Sequence, residues 1–309
     1  MFKILITGGA GFIGSHLAER LIVNPNYFVV SIDNLSTGCR ENIPSIFPNN
    51  YQFIECDVNN HEHLSDIMLA YKFDYVFHYA AVVGVARTLD YPLLVLQDIE
   101  GIKNVLNLSK NTGVKRVFFS SSSEVYGEPV EFPQNEHTTP LNSKIPYAIV
   151  KNIGEAFLKS YKKEYNLDYT IFRFFNTYGS KQSADFVISK FIKLALSNKD
   201  ITIYGDGLQT RTFCFIEDNL EATIRILNDD LVINDVINFG SDIEMTILDL
   251  AKLVIDKTNS KSKIIHLPAL KEGDMTRRKP DNTKMKQILQ GELLPLSDGI
   301  DRILELFNK

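Results

Sequence analysis

Tyr147 and Lys151 stand four residues apart in the run Tyr147-Ala148-Ile149-Val150-Lys151. On a helix that spacing puts both side chains on one face, so the lysine ammonium can sit beneath the phenol and lower its pKa. Tyrosine could then act as a base near neutral pH, and the chemistry implied is redox chemistry on a hydroxyl. Far upstream, Gly8-Gly9-Ala10-Gly11-Phe12-Ile13-Gly14 satisfies the spacing Gly-x-Gly-x-x-Gly through Gly9, Gly11 and Gly14. Such a turn lets a pyrophosphate approach backbone amides at a helix N-terminus. Asp33 follows roughly twenty residues on, where a carboxylate accepts hydrogen bonds from the adenosine ribose and repels an extra phosphate. NAD is favoured over NADP, with Arg40 close enough in sequence to keep NADP as the alternative.

The elements that must position these groups alternate. Phe2 to Ile6, Phe28 to Ile32, Tyr51 to Ile54, Tyr75 to His78, Arg116 to Phe119 and Tyr169 to Phe172 read as strands. Helical spacing is predicted for Ser15 to Leu21, His63 to Tyr71, Pro92 to Thr112 and Tyr147 to Tyr165. This order predicts a doubly wound parallel sheet with ligands beyond the carboxyl ends of its strands. After Asn176 the rhythm changes: helices are predicted at Phe186–Ser197, Asp218–Leu227, Ile247–Thr258 and Gly299–Phe307, with strands at Ile201–Tyr204 and Val236–Asn238. The division expected is a cofactor domain over 1–176 and a smaller α/β lobe over 177–309, with about 212–240 returning to the main domain.

A chain of 309 residues with 44% hydrophobic and 23% charged residues is long enough to bury a large core. The net charge of -5 gives no basic footprint for nucleic acid. Cys39, Cys56 and Cys214 match neither a metal-ligand nor a disulfide pattern, and the six histidines have no metal-ligand spacing, so no metal is expected. With no membrane-length apolar run and no leader, the reading is cytoplasmic, with no membrane partner. Leu93, Leu96, Ile99, Val105, Leu106, Phe157 and Tyr161 spread over more than one helix face. One face suits the sheet and the remainder a homodimer interface.

Further runs carry a resemblance. They are Asp33-Asn34-Leu35-Ser36-Thr37-Gly38, Cys56-Asp57-Val58, His78-Tyr79-Ala80-Ala81 and Ser121-Ser122-Ser123-Glu124-Val125-Tyr126-Gly127. Arg173-Phe174-Phe175-Asn176-Thr177-Tyr178-Gly179 and Gly205-Asp206-Gly207 with Arg211 continue it. Together with the glycine turn and the Tyr147/Lys151 pair, they make the chain similar, over essentially its whole length, to the extended short-chain dehydrogenase/reductase family of sugar-nucleotide epimerases, dehydratases and decarboxylases. The fold implied is a Rossmann-type α/β doubly wound sheet with a smaller C-terminal substrate lobe.

The resemblance implies that Tyr147 takes the proton from the hydroxyl at carbon 4 of the sugar while NAD accepts the hydride. Ser122 bonds the same oxygen, and Lys151 also holds the nicotinamide ribose. Gly8, Gly11, Phe12, Ile13 and Gly14 form the phosphate turn, and Asp33 with Asn34 meets the ribose. Asp57 and Val58 meet the adenine, and Ala80 and Ala81 flank the cofactor. Ser123, Asn176, Arg211 and one of Arg277 or Arg278 match substrate positions, with a nucleoside diphosphate sugar, UDP foremost, as the implied partner. Ser123-Glu124 and Arg278-Lys279-Pro280 resemble decarboxylases acting on UDP-glucuronate, in which Glu124 and Arg278 would be catalytic. The run Val82 to Arg87 resembles 4-epimerases, and Ser/Thr followed by Glu also occurs in GDP-mannose dehydratases. The non-catalytic alternatives are a structural Glu124 and, for the whole chain, a dinucleotide-binding module. Two departures stand out: Asp98 where relatives have Asn, and Ser180 where Pro follows Tyr-Gly.

Overall fold

The computed structural model describes residues 1–45, 49–268 and 278–307. Its first half alternates as expected: β1 (Phe2–Thr7), α1 (Phe12–Ile22), β2 (Tyr27–Asp33), β3 (Tyr51–Glu55), α2 (His61–Tyr71) and β4 (Tyr75–His78). Next come α3 (Val85–Asp90), α4 (Pro92–Leu96), α5 (Asp98–Thr112), β5 (Arg116–Ser122), α6 (Pro146–Tyr165) and β6 (Asp168–Phe174). The later elements are β7 (Thr177–Tyr178), α7 (Val187–Leu196), β8 (Ile201–Tyr204), β9 (Thr210–Thr212), β10 (Cys214–Phe215) and α8 (Ile216–Asn228). They end with β11 (Asp235–Phe239), β12 (Glu244–Thr246), α9 (Ile247–Thr258), β13 (Ile264–Leu267), α10 (Thr283–Leu289) and α11 (Leu296–Phe307).

Seven strands form one sheet in the order β3-β2-β1-β4-β5-β6-β11. The pairs β1 with β2, β1 with β4, β2 with β3 and β4 with β5 are parallel. Strand order reverses between β1 and β4, which opens a crevice at their carboxyl ends. A sheet covered on both faces needs apolar residues in succession rather than alternation. Ile4, Leu5 and Ile6, or Val76 and Phe77, are accordingly sealed from solvent. One large cluster joins Leu5, Val30 and Val76 of the sheet to Leu64 and Met68 of α2, Ile102 and Val105 of α5, and Val150 and Leu158 of α6.

Two compact units share the chain. The first comprises Met1–Gly127, Leu141–Arg173 and Thr223–Ile237, and the second Glu128–Pro140, Phe174–Ala222 and Asn238–Lys309. Within the second, β8 pairs with β13 and β7 with β10 in parallel, while β9 and β12 run antiparallel.

The helix expected over Pro92 to Thr112 is broken. Pro92 sits at the start of α4, Gln97 separates α4 from α5, and Asp98 opens a second helix. The Asp98 carboxylate is committed elsewhere, accepting from Val82 N at 2.8 Å. Short polar side chains at helix starts favour such breaks because they bond nearby backbone. The two- and three-residue strands β7, β9, β10 and β12 are too short to register as a hydrophobic period.

Candidate active site

The glycine turn is built by close approach. Gly8 has φ +72°, and a Cβ there would lie 2.7 Å from Ala80 N. A Cβ on Gly14 would lie 2.2 Å from the Gly8 carbonyl oxygen, so α1 can start against the turn only because that position is glycine. Gly11 N donates to Gly8 O at 3.1 Å. Gly11 contributes no side-chain cap and the first turn holds no acidic residue, so the half-exposed start at Phe12 and Ile13 keeps the positive end of the helix for an anion.

Acceptors line the neighbouring strand ends. Asp33, closing β2, takes one backbone N–H on each oxygen, from Ala10 at 3.0 Å and Leu35 at 2.8 Å. Burial pushes its carboxyl up, against the lowering effect of the Leu35, Ala10 and Gly11 amides. Each oxygen keeps a further lone pair for a ribose hydroxyl. Asn34 Nδ2 donates to Asp57 Oδ2 at 3.0 Å, and Asp57 Oδ1 accepts from Asn59 N at 2.8 Å. Val58 lies buried against Gly101 of α5. At the end of β4 the amides of Tyr79 and Ala80 both donate to Thr7 Oγ1 at 3.1 Å, which holds the half-buried Ala80 and Ala81 beside the glycine turn. Arg40, the residue that kept NADP open, is ion-paired with Glu55. The glycine cradle and the paired acceptors fit NAD.

The tyrosine and lysine come from α6, whose first turn begins at Pro146. Lys151 Nζ lies 5.8 Å from the centroid of the Tyr147 ring and 5.1 Å from that of Phe119. It donates to Ser120 Oγ at 3.3 Å. Lys151 is only 4% exposed, and burial pushes its ammonium down to about 8, while the Asp98 carboxylate opposes that fall. Tyr147 is half-buried, so its ring can be reached from solvent while the lysine behind it cannot.

β5 ends at Ser122, which is buried and caps the tight turn Ser123–Tyr126 by accepting from Glu124 N at 3.2 Å. An oxygen that accepts there still has its own proton to donate. Ser123 is buried and Glu124 half-buried on the same turn. The first unit thus carries Ser122, Glu124, Tyr147 and Lys151 together with the cofactor residues.

In the second unit, Asn176 has φ +33° and donates from Nδ2 to Thr212 O at 3.0 Å. Arg211 lies half-buried on β9 opposite Met245, with Nη1 donating to Thr210 O at 2.8 Å. Arg278 is buried. Arg277 lies outside the described residues. Phe175 and Tyr178 are sealed in the interior, as is Phe172 of the first unit.

Sequence reading missed three groups. Ser120 shares a strand face with Ser122, because residues two apart on a strand point the same way, and it receives the Lys151 bond. Gly154, one turn beyond Lys151, lets α6 press onto β5: a Cβ there would lie 2.3 Å from the Phe119 ring. Arg173 and Glu155 form a buried ion pair beneath the serine run. The readable signals were the serine run and the place of Arg173 at the head of a run that carries the resemblance.

Fold and site together define a nucleotide-binding α/β protein in which a tyrosine–lysine pair stands within the same unit as the phosphate turn. Residues 4–240 match the NAD dependent epimerase/dehydratase family, and the chain belongs to that family of enzymes, with NAD as its cofactor. It is 33% identical to UDP-glucuronic acid decarboxylase 1 of Danio rerio, covering 99% of this chain and 73% of that protein. It is 36% identical to UDP-N-acetyl-alpha-D-glucosaminuronate decarboxylase of Bacillus cytotoxicus, over 93% of this chain and 92% of that one. Among solved structures, UDP-glucose 4-epimerase of Thermotoga maritima, determined with UDP-glucose, superposes with a TM-score of 0.92 at 33% identity, covering 99% of each chain. Among the described residues no helix is long and apolar enough to cross a membrane.

Proposed function

We propose that the protein oxidises carbon 4 of a UDP-sugar transiently, and that its substrate is UDP-glucuronate, which it decarboxylates. The observation that carries the first part is the sealed Lys151 ammonium behind the accessible Tyr147 ring. A cation at that position favours the phenolate, so Tyr147 can take the proton from the C4 hydroxyl. Ser122 donates its remaining proton to the same oxygen and holds it as charge develops. Bound NAD supplies the hydride acceptor for the oxidation and the donor for its reversal.

Oxidation at carbon 4 places a ketone β to the C5 carboxylate, from which carbon dioxide leaves readily because the carbonyl takes up the electron pair. Ser122 and Tyr147 are the groups that would stabilise the resulting enolate oxygen. Glu124, on the turn that Ser122 caps, is proposed to deliver the proton. The two decarboxylase relatives support decarboxylation as the reaction type. A 4-epimerase is the second reading, favoured by the close superposition on an epimerase structure.

Chromatography coupled to mass spectrometry after incubation with UDP-glucuronate, UDP-glucose, GDP-mannose and dTDP-glucose in turn tests the proposal. Loss of carbon dioxide from UDP-glucuronate is expected. Unchanged mass with inverted carbon 4 would assign an epimerase, loss of water a dehydratase, and no turnover of any UDP, GDP or dTDP sugar a binding module.

A further inference from the structure

We propose that Asn104 of α5 is a positioning residue for the cofactor: its buried amide holds the turn Asp57–Asn60 in the shape that presents the Asp57 carboxylate to the adenine of NAD. The inference rests on the adenine role that the family resemblance gives to Asp57, and not on which sugar nucleotide is converted.

The turn leaves β3 and enters α2. Asn60 N donates to Asp57 O at 2.9 Å, and the Asn60 side chain caps α2 by accepting from His63 N at 3.1 Å. Each Asp57 oxygen takes one bond, Oδ2 from Asn34 Nδ2 at 3.0 Å and Oδ1 from Asn59 N at 2.8 Å. These two bonds aim the carboxylate and leave each oxygen a further lone pair. Asp57 therefore remains an acceptor, and the exocyclic amine of adenine is a donor.

Asn104 grips this turn from α5. It is 5% exposed, and its Nδ2 donates to Val58 O at 3.0 Å and to Asn59 O at 3.2 Å, so both protons of one amide are spent on two successive carbonyls. Those carbonyls belong to the two residues that follow Asp57, and holding them sets the direction in which the Asp57 side chain leaves the turn. Gly101, three residues earlier and so on the same helix face, completes the seat: a Cβ there would lie 2.7 Å from Val58 Cγ2 and 3.0 Å from Asn59 Oδ1. Val58, Ile102 and Val105 belong to one apolar cluster, which presses the turn onto α5. Apolar contact has no direction, whereas two hydrogen bonds to adjacent carbonyls impose one. Asparagine is a poor helix former and costly to bury, and these two bonds are what the position gains from it.

Competition on the full chain saturated with NAD tests the proposal. Nicotinamide hypoxanthine dinucleotide carries a carbonyl oxygen where adenine has its amine, so a well-placed carboxylate disfavours it. In Asn104→Ala, bound NAD should exchange with labelled NAD about tenfold faster, the effect of one or two lost hydrogen bonds. At a fixed NAD concentration, the excess of the hypoxanthine analogue that displaces half of the NAD should also fall about tenfold, because the analogue gains nothing from a correctly placed Asp57. Asn104→Asp, equal in size but with an acceptor toward the two carbonyls, should behave alike. Val105→Ala, which opens a cavity on the same helix, should lower the melting temperature and leave both readings unchanged. Should Asn104→Ala fail to fold, Gly101→Ala displaces the same turn through its Cβ and should give the same loss of preference. Unchanged exchange and preference, or a weakening equal for NAD and its analogue, would overturn the proposal. Neither reading depends on turnover, so inactivity toward every sugar nucleotide would remove the proposed function while the competition still decides for or against Asn104.

Discussion

Glu155 of α6 receives two hydrogen bonds from Arg173 of β6, Nε to Oε1 at 2.9 Å and Nη2 to Oε2 at 2.7 Å, with both side chains sealed from solvent. The pair extends in both directions. Ser121 Oγ donates to Glu155 Oε1 at 2.6 Å, and Arg173 Nη1 donates to Tyr126 Oη at 2.9 Å. The ion pair therefore ties the helix that carries Tyr147 and Lys151 to the strand end and turn that carry Ser122 and Glu124.

Removing one partner of such a pair strands a buried charge, a loss of about 3–5 kcal/mol. Glu155→Leu should accordingly lower the melting temperature steeply. Arg173→Met with Glu155→Leu should recover much of the loss, because no charge is then stranded. Calorimetry of the single and double variants checks this, and equal melting points for all three would remove the assignment.

Tyr147→Phe deletes one hydroxyl from a half-buried ring and little packing. Turnover should fall about a hundredfold or more, as expected for loss of a positioned acid/base. Nucleotide released on denaturation should still be NAD. Near-normal turnover would leave the central chemical reading without support.

At Gly154 an alanine should be costly even though alanine favours helix, since its Cβ would lie 2.3 Å from the Phe119 ring. Overpacking of about 1–3 kcal/mol outweighs the gain of roughly 1 kcal/mol in helix propensity. Gly154→Ala is thus expected to destabilise the fold and slow turnover together by displacing α6. A melting point raised by the substitution would show that α6 does not need this approach.

The folded-state value of about 8 for Lys151, against an ordinary 10.5, fixes the sign of a pH effect on stability. Between those two values the unfolded chain binds the proton and the folded chain does not, so this residue's contribution to stability rises with pH there. Below about pH 8 its penalty is fully present. Lys151→Met also takes a charge partner from the half-buried Asp98 carboxylate, a cost that does not vary over this range. Its stability relative to the unaltered protein should therefore be highest below pH 8, and this relative advantage should fade toward pH 10. Denaturant titrations at pH 7 and pH 10 measure it, and an advantage that grows with pH would contradict the burial argument.

Assembly can be tested on the helices that leave apolar side chains uncovered. Leu93, Leu94 and Leu96 of α4 and Ile149 of α6 are exposed, whereas Val105 and Leu106 of α5 are buried in the core. A homodimer through the first group is proposed, and light scattering at micromolar concentration should give twice the mass of one chain. Replacing Leu93 and Leu96 with lysine should return the monomer.

The doubly wound sheet, the glycine turn and the Tyr147/Lys151 spacing were readable in the chain because each is a local pattern. Apolar succession marks a covered strand, a period of 3.6 marks a helix, and glycine is demanded where backbone meets backbone, as Gly14 meets the Gly8 carbonyl. Tertiary structure decided what depends on residues far apart in sequence. Nothing near Asp98 announces that its carboxylate will meet Val82 N. Nothing near Arg173 announces Glu155, and the fall of Lys151 to about 8 exists only because the sheet and α6 close water out around it. Residue type sets which charges and donors are present, but their energies depend on solvent and on neighbours, and folding alone assigns those.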